Sequence, residues 1–167
     1  MTVRRAFEKD IPALAAIEAA WPGYPAWGEK GLREELANPS SVTLVAELDG
    51  SGRHLPRSVP GVLRPAGAPA GFINFWIVRP EAQINSLAVS AAFLRRGAAR
   101  ALLGKCAEYA RKSACASITL EVGENNAPAR ALYAAAGFEV EGRRPKFYNN
   151  AEDALLMRRA LSPGEKT

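Results

Sequence analysis

Leu94-Arg95-Arg96-Gly97-Ala98-Ala99-Arg100 lies between an apolar, strand-like segment (Ile84 to Val89) and a helix-like segment (Ala101 to Lys112). A strand that runs through a small-residue turn into a helix builds an anion site. The first-turn N–H groups have no intrahelical partner there, and the helix dipole adds partial positive charge. Gly97 and the alanines allow a phosphate to approach the backbone, and three arginines add charge. The stretch therefore predicts a turn that binds a pyrophosphate.

The composition is typical of one soluble globular domain. The chain has 167 residues, of which 48% are hydrophobic and 23% are charged, so it is long enough to bury a full core. No apolar run approaches the roughly 18 residues of a membrane span. The N-terminus also lacks the apolar segment of a signal peptide. We therefore expect a cytoplasmic protein with no membrane role.

Cysteine and histidine usage argues against two common kinds of site. The spacing of Cys106 and Cys115 matches neither a zinc site nor a disulfide framework, so both thiols are expected to be reduced and partly buried. His54 is the only histidine, which argues against a His-based triad and a His-ligated metal. We expect no metal. The net charge of +5 and the pI near 9.5 favour a polyanionic companion, such as a phosphorylated cofactor, RNA or an RNA-bound partner.

Hydrophobic periodicity and turn residues predict the order βααβββαβαββ, an α/β (α+β) fold with a mixed, mostly antiparallel sheet and a short parallel element. A single domain over residues 1–161 would contain a Gly/Pro-rich surface insert at 49–71, followed by a disordered tail at 162–167. The first helix would begin after the N-cap Asp10, and another would begin at the cap Asn126 and end at Gly137. The remaining helices are expected at Glu29–Asn38 and at Ala101–Lys112, and the apolar face of the latter would carry Leu102, Leu103, Cys106, Tyr109 and Ala110. The strands are expected at Val3–Ala6, Val42–Leu48, Phe72–Val78, Ile84–Val89, Ser117–Val122, Phe138–Glu141 and Ala154–Arg159.

Two further motifs accompany the arginine-rich turn. Leu120-Glu121-Val122 places a carboxylate inside an apolar strand, and Asn126 to Phe138 forms a capped, alanine-rich helix that contains Tyr133. Together with Arg143 to Met157, these motifs resemble the GNAT acetyltransferases, which use acetyl-CoA, and in particular the RimI-type ribosomal-protein alanine N-acetyltransferases. The resemblance covers residues 3–48 and 71–161.

The resemblance implies a GNAT fold in which a splayed pair of parallel strands holds acetyl-CoA. It makes Glu121 the general base and Tyr133 the general acid. It also places Tyr148 at a position that is associated with the acceptor peptide. The loop that carries Tyr24 and Trp27 is expected to help select that acceptor. The residues expected to contact the cofactor are Leu87, Ala88, Val89, Arg95, Arg96, Gly97, Ala98, Ala99, Arg100 and Asn126.

Each assignment has a purely structural alternative. Glu121 would face solvent at the edge of its strand, Tyr133 would be a core aromatic of an amphipathic helix, and Asn126 would serve only as an N-cap. The family also commonly has Gln or Arg where this chain has Leu94, and often Gly where it has Ala99. The loop contacts come mainly from the backbone, so we expect cofactor binding to survive.

The leading hypothesis is acetyl transfer to the N-terminal α-amine of a protein, with the N-terminal alanine of a ribosomal protein as the named candidate. We expect a monomer or weak dimer with no required nucleic-acid contact. One alternative is a GNAT enzyme that acetylates a small amine, an antibiotic or a lysine side chain. Another is a non-catalytic CoA- or RNA-binding module. The presence of both Glu121 and Tyr133 argues against this second alternative.

Overall fold

The strands and helices follow the order that the periodicity predicts. The structure, a computed structural model, describes residues 1–23, 25–47, 68–148 and 152–162. Its elements are β1 (Thr2–Arg5), α1 (Ile11–Ala19), α2 (Gly28–Ala37), β2 (Ser41–Glu47), β3 (Pro69–Val78), β4 (Glu81–Val89), α3 (Ala98–Lys112), β5 (Ser117–Gly123), α4 (Ala127–Ala135), β6 (Glu139–Tyr148) and β7 (Glu152–Ala160).

One sheet contains the seven described strands, in the order β1-β2-β3-β4-β5-β7-β6. Every neighbouring pair is antiparallel except β4 and β5, which run parallel. The predicted fold class and the short parallel element are therefore confirmed. The parallel pairing joins Glu81–Ile84 to Ser117–Leu120 and continues no further along either strand. The two strands consequently diverge toward their carboxyl ends, as the resemblance implies.

A β-bulge marks the point of divergence. Asn74 pairs with Ser86 and Phe75 pairs with Ile84, so Asn85 is the extra residue on β4. A bulge of this kind bends its strand and increases the local twist, which directs the remainder of β4 away from β5. It also changes which residues face α3. Ile84 packs in the cluster that contains α3, whereas beyond the bulge Leu87 packs there.

Two hydrophobic clusters cover the two faces of the sheet. On one face, α3 buries the residues predicted for its apolar side, with Leu102 and Cys106 fully enclosed and Tyr109 partly buried. On the other face, α1 and α2 pack on β2, β3 and β4 around Phe72. Both cysteines are free and buried, and burial raises the pKa of each thiol. No helix in the described part of the chain is long and apolar enough to cross a membrane.

Several boundaries differ from the prediction, and strand pairing accounts for two of them. β3 starts at Pro69 rather than Phe72, because residues 69–71 of the expected insert pair with β2. α3 starts at Ala98 rather than Ala101. β6 extends beyond the predicted end at Glu141 because β7 supplies it with a partner. Residues 49–67 of the insert and 163–167 of the tail lie outside the described residues.

Asp10 precedes α1 as predicted, but its side chain does not cap that helix. Instead it accepts hydrogen bonds from the Phe7 N–H, at 2.8 Å, and from the Arg4 guanidinium, at 2.7 and 2.9 Å. Burial disfavours the charged form of this carboxyl, yet the bonds from Arg4 and Phe7 outweigh it and lower the pKa of Asp10. The expectation of a side-chain cap was wrong because a stronger, charged partner on β1 competes for the carboxylate.

Leu102→Ala is expected to lower the free energy of unfolding by about 2–5 kcal/mol, because the truncation leaves a cavity at the centre of the α3 cluster. Chemical denaturation measures the loss. Leu94→Ala makes the same change at a side chain that is 45% exposed and should stay within about 0.5 kcal/mol of the parent. Equal losses at both positions would contradict the placement of Leu102 in the core.

Candidate active site

The gap between β4 and β5 is the first component of the candidate site. Pairing between the strands ends at Ile84 and Leu120, and the residues assigned to the cofactor strand, Leu87 to Val89, come after that point. On its other side β4 is fully paired with β3 through this stretch. The β5-facing edge therefore presents strand backbone to the gap. Such an edge is suited to hydrogen-bond an extended ligand arm that carries amide groups.

The arginine-rich turn lies directly beyond β4. Gly97 is the N-cap of α3 and has φ +83°, and Arg95 also has positive φ, at +58°. The Ala101 N–H is bonded to the Gly97 carbonyl at 2.9 Å, so the first-turn amides before it have no intrahelical acceptor. These amides belong to Ala98, Ala99 and Arg100. The earlier start of α3 thus makes these predicted turn residues the amino end of a fifteen-residue helix.

The charged side chains of the turn surround that amino end. Arg95 and Arg100 are exposed, whereas Arg96 is half-buried with its guanidinium 5.8 Å from the centre of the Phe93 ring. Ala98 is almost fully buried, which anchors the helix end against the core. A pyrophosphate fits this combination of first-turn amides, helix dipole and cationic side chains. The turn and the gap therefore fit CoA, which combines an amide-bearing arm with a pyrophosphate.

Asn126 has the structural role that its sequence position predicts. Its side-chain oxygen accepts the Ala129 N–H at 3.2 Å, which caps α4. The residue is exposed, so the cap leaves its amide nitrogen accessible from solvent. Gly137 ends the helix region with φ +84°, also as predicted.

Glu121 lies on β5 just past the last residue paired with β4. Its neighbours Leu120 and Val122 point into the α3 cluster, so Glu121 points to the opposite face. Its side chain is 19% exposed, and its carboxylate pairs with Arg144 at 3.0 Å. Glu121 lines a surface groove whose other lining residues are Glu81, Gln83, Thr119, Leu120, Arg144, Leu156 and Arg158. The Glu121 side chain, the candidate general base, is therefore neither fully exposed nor fully enclosed.

Tyr133 lies on the other side of the sheet. α4 places its ring in the α3 cluster, 7% exposed, with the edge of Phe138 packed against it at a centroid distance of 5.7 Å. The ring of Tyr133 is thus part of the hydrophobic core, as the structural alternative predicts. Glu121 and Tyr133 occupy opposite faces of a sheet that is open between β4 and β5.

The expected acceptor residues are only partly described. Tyr24 lies outside the described residues, and so does the side chain of Tyr148, although its backbone ends β6. Trp27 is half-buried against the cluster formed by α1 and α2, and its main-chain N–H donates to Glu18 Oε2 at 3.2 Å. Burial raises the pKa of the Glu18 carboxyl, whereas the N–H groups of Gly28 and Trp27 oppose that effect.

Sequence reasoning gave Glu18 no role. The available signal was a carboxylate next to Ile17, at the end of an apolar helix that otherwise has no charged residue.

Comparisons with known proteins agree with this geometry. The model of the acetyltransferase (GNAT) family matches residues 13–138. The ribosomal protein bS18-alanine N-acetyltransferase of Escherichia coli (strain K12) is 34% identical over 156 residues, covering 92% of this chain and 93% of that protein.

Two solved structures show the same fold. The crystal structure of the ribosomal-protein-S18-alanine N-acetyltransferase from Escherichia coli has a TM-score of 0.78 at 26% identity and covers 99% of this chain and 97% of that one. Arabidopsis thaliana NAA60 in complex with acetyl-CoA has a TM-score of 0.79 at 21% identity and covers 96% and 98%.

The splayed parallel pair and the amino end of α3 thus fit a transferase that uses a CoA thioester. The chain belongs to the acetyltransferase (GNAT) family. It is an N-acetyltransferase that takes its acetyl group from acetyl-CoA, and its relatives confirm the resemblance to the RimI-type enzymes.

Gly97→Ala is expected to weaken CoA binding, because the new Cβ penalises the left-handed conformation at the N-cap by about 1–2 kcal/mol and the turn must rearrange. Isothermal titration with CoA measures the change. Gly104→Ala is the matched control, since Gly104 lies within α3 with no positive φ and open space for a Cβ. It should leave CoA affinity unchanged and stabilise the fold by about 0.5–1 kcal/mol. Unaltered CoA affinity in Gly97→Ala would refute the assigned role of the turn.

Proposed function

We propose that this enzyme acetylates the N-terminal α-amine of a protein, specifically the N-terminal alanine of a ribosomal protein. The observation that carries the proposal is the position of Glu121, which faces away from α3 and lies just past the point where the pairing between β4 and β5 ends. The groove around it is a surface groove, which suits the end of a polypeptide. The Escherichia coli relatives are named as alanine N-acetyltransferases of ribosomal protein S18, which supports the choice of acceptor.

Glu121 is the proposed general base. Acetyl-CoA supplies an activated thioester, and an amine attacks its carbonyl carbon only in the deprotonated form. The α-amine of a free N-terminus has a pKa of about 7.7–8.0, whereas the lysine side chain has a pKa of about 10.4. A weaker base is therefore sufficient to deprotonate an α-amine. The Glu121 carboxylate would accept the proton directly or through one water. The Arg144 guanidinium fixes the orientation of that carboxylate from the β6 side.

Tyr133 and the β4 backbone are proposed to complete the transfer. As the new N–C bond forms, negative charge develops on the thioester oxygen, and a backbone N–H from Leu87 to Val89 would stabilise it. The C–S bond then breaks, and the Tyr133 hydroxyl would give its proton to the departing thiolate. The products are an acetylated N-terminus and CoA, with no covalent enzyme intermediate.

The turn and two aromatic segments supply binding in this proposal. Arg95 to Arg100, with Asn126, would hold the nucleotide part of CoA. Trp27, together with Tyr24 and Tyr148, would contact the acceptor chain. We also propose that the enzyme acts in the cytoplasm as a monomer or weak dimer and needs no nucleic-acid contact. Ribosomal proteins are made there, and the proposed acceptor groove lies on a single chain.

Glu121→Gln is expected to lower kcat about 10²- to 10⁴-fold, because the amide cannot accept the proton. Tyr133→Phe is expected to lower kcat as well, with little change in the KM for acetyl-CoA, since the ring that packs on Phe138 is retained. Steady-state assays of CoA release measure both effects.

Glu139→Gln and Tyr109→Phe are the matched controls for these variants. Glu139 is exposed on β6, and Tyr109 is a partly buried aromatic whose ring packs against Phe75. Both should retain activity close to that of the parent enzyme. A parent-like kcat in Glu121→Gln or Tyr133→Phe would show that the assigned proton transfers are wrong.

The acceptor is identified by comparing three substrates. A peptide with a free N-terminal alanine should be acetylated. The same peptide blocked at its N-terminus but carrying an internal lysine should give no product above background, and small amines should react far more slowly. Mass spectrometry locates the added acetyl group. Efficient turnover of lysine or of a small amine, with none of the free N-terminus, would replace this acceptor with the alternative one.

A further inference from the structure

The connection between α1 and α2 is tethered at both of its ends. At its start, the Trp21 indole N–H donates to the main-chain carbonyl of Val89 at 3.0 Å. At its end, Glu18 Oε2 accepts the N–H groups of Trp27 and Gly28 at 3.2 and 3.0 Å. The second tether closes the connection onto α1, and the first attaches it to β4.

The attachment point on β4 has a specific location. Val89 is the last residue of β4 and pairs with Gly71. The next residue, Ser90, donates its N–H to Ala70 at 2.8 Å, and the chain then proceeds to the arginine-rich turn. The Trp21 bond therefore attaches at the junction between the strand that faces the gap and the turn that fits a pyrophosphate.

Glu18 indicates that the second tether is maintained at a cost. The residue is 1% exposed, and its Oε1 has no hydrogen-bond partner among the described residues. A buried carboxylate oxygen without a donor is unfavourable. A leucine at this position would avoid that cost but would release the Trp27 and Gly28 amides. Glu18 therefore holds the Trp27 and Gly28 amides at the cost of one unpaired carboxylate oxygen.

We propose that Trp21 is a positioning residue that couples the acceptor-binding connection to the cofactor strand, so that CoA in the gap orders the surface that receives the acceptor. The inference rests on the proposed function, because it takes Trp27 as part of the acceptor surface. CoA bound along β4 would restrain Val89, and the indole bond would transmit that restraint to the connection. Such coupling is reciprocal, so a bound acceptor would also tighten CoA binding.

Trp21→Phe tests the coupling, because it keeps an aromatic ring and removes only the N–H donor. The KM for a peptide with a free N-terminal alanine should rise about two- to tenfold, the range of one intramolecular hydrogen bond. The affinity for CoA alone should stay within experimental error, and kcat at saturating peptide should be retained. In the parent enzyme CoA should lower the Kd of the peptide, and Trp21→Phe should abolish this effect.

Trp76→Phe is the matched control. Trp76 also loses one indole bond, to Glu35 Oε2 at 2.7 Å, but it pairs with Gln83, at the end of β4 remote from Val89. Its thermal stability should fall while the peptide KM stays near the parent value. Equal KM increases in both variants would mean that Trp21 has only a structural role. An unchanged peptide KM in Trp21→Phe would likewise overturn the proposal.

Hydrogen exchange separates this inference from the proposed acceptor. In the parent enzyme, added CoA should slow exchange at the Trp27 and Gly28 amides, and Trp21→Phe should lose that protection. This measurement uses CoA alone and needs no acceptor. Protection by CoA together with failure to acetylate any N-terminus would refute the proposed function and leave the coupling intact. No CoA-dependent protection in the parent enzyme would refute the coupling.

Discussion

The end of the pairing between β4 and β5 at Ile84 and Leu120 is the constraint on which the candidate site depends. Parallel strands that continued side by side would bury their facing backbone groups in a ladder and leave no opening in the sheet. Because they separate, one edge of β4 faces a gap, and Glu121 follows immediately after the last paired residue of β5. The Glu121 carboxylate and the Tyr133 ring lie on opposite faces of this sheet.

Much of the fold was predictable because its signals are local. The Asn126 cap, the Gly137 stop and the apolar face of α3 follow from a few neighbouring residues, and the structure confirms all three. The boundaries at Pro69 and Ala98 were not predictable in this way. β3 starts early because β2 provides partners for residues 69–71, and no local pattern reports the position of a neighbouring strand.

In the candidate site too, features that depend on neighbouring residues could be predicted, whereas contacts between distant residues could not. The arginine-rich turn could be predicted from its residues, and the roles of Glu121 and Tyr133 came from the family resemblance. The Arg144 partner of Glu121 lies on another strand, and the Trp21 bond spans 68 positions of sequence. Such contacts depend on how the sheet is assembled. The sequence indicates that Trp21 is an apolar residue at helical spacing from Ile17 and the first residue of the loop that ends at Trp27. It gives no sign of the indole bond, because the acceptor is a main-chain carbonyl, a group that every residue possesses.

The bulge at Asn85 also determines how β4 tolerates changes in length. Before it, even-numbered residues such as Ala82 and Ile84 face α3, and after it the odd-numbered Leu87 and Val89 do. Removing this one residue would restore strict alternation and leave Leu87 and Val89 on the side that faces α3, so the core face of the strand would be unchanged. The deletion would instead remove the local bend and added twist of the bulge. A homologous chain without the extra residue should therefore keep its core but hold β4 closer to β5, with a narrower gap between them.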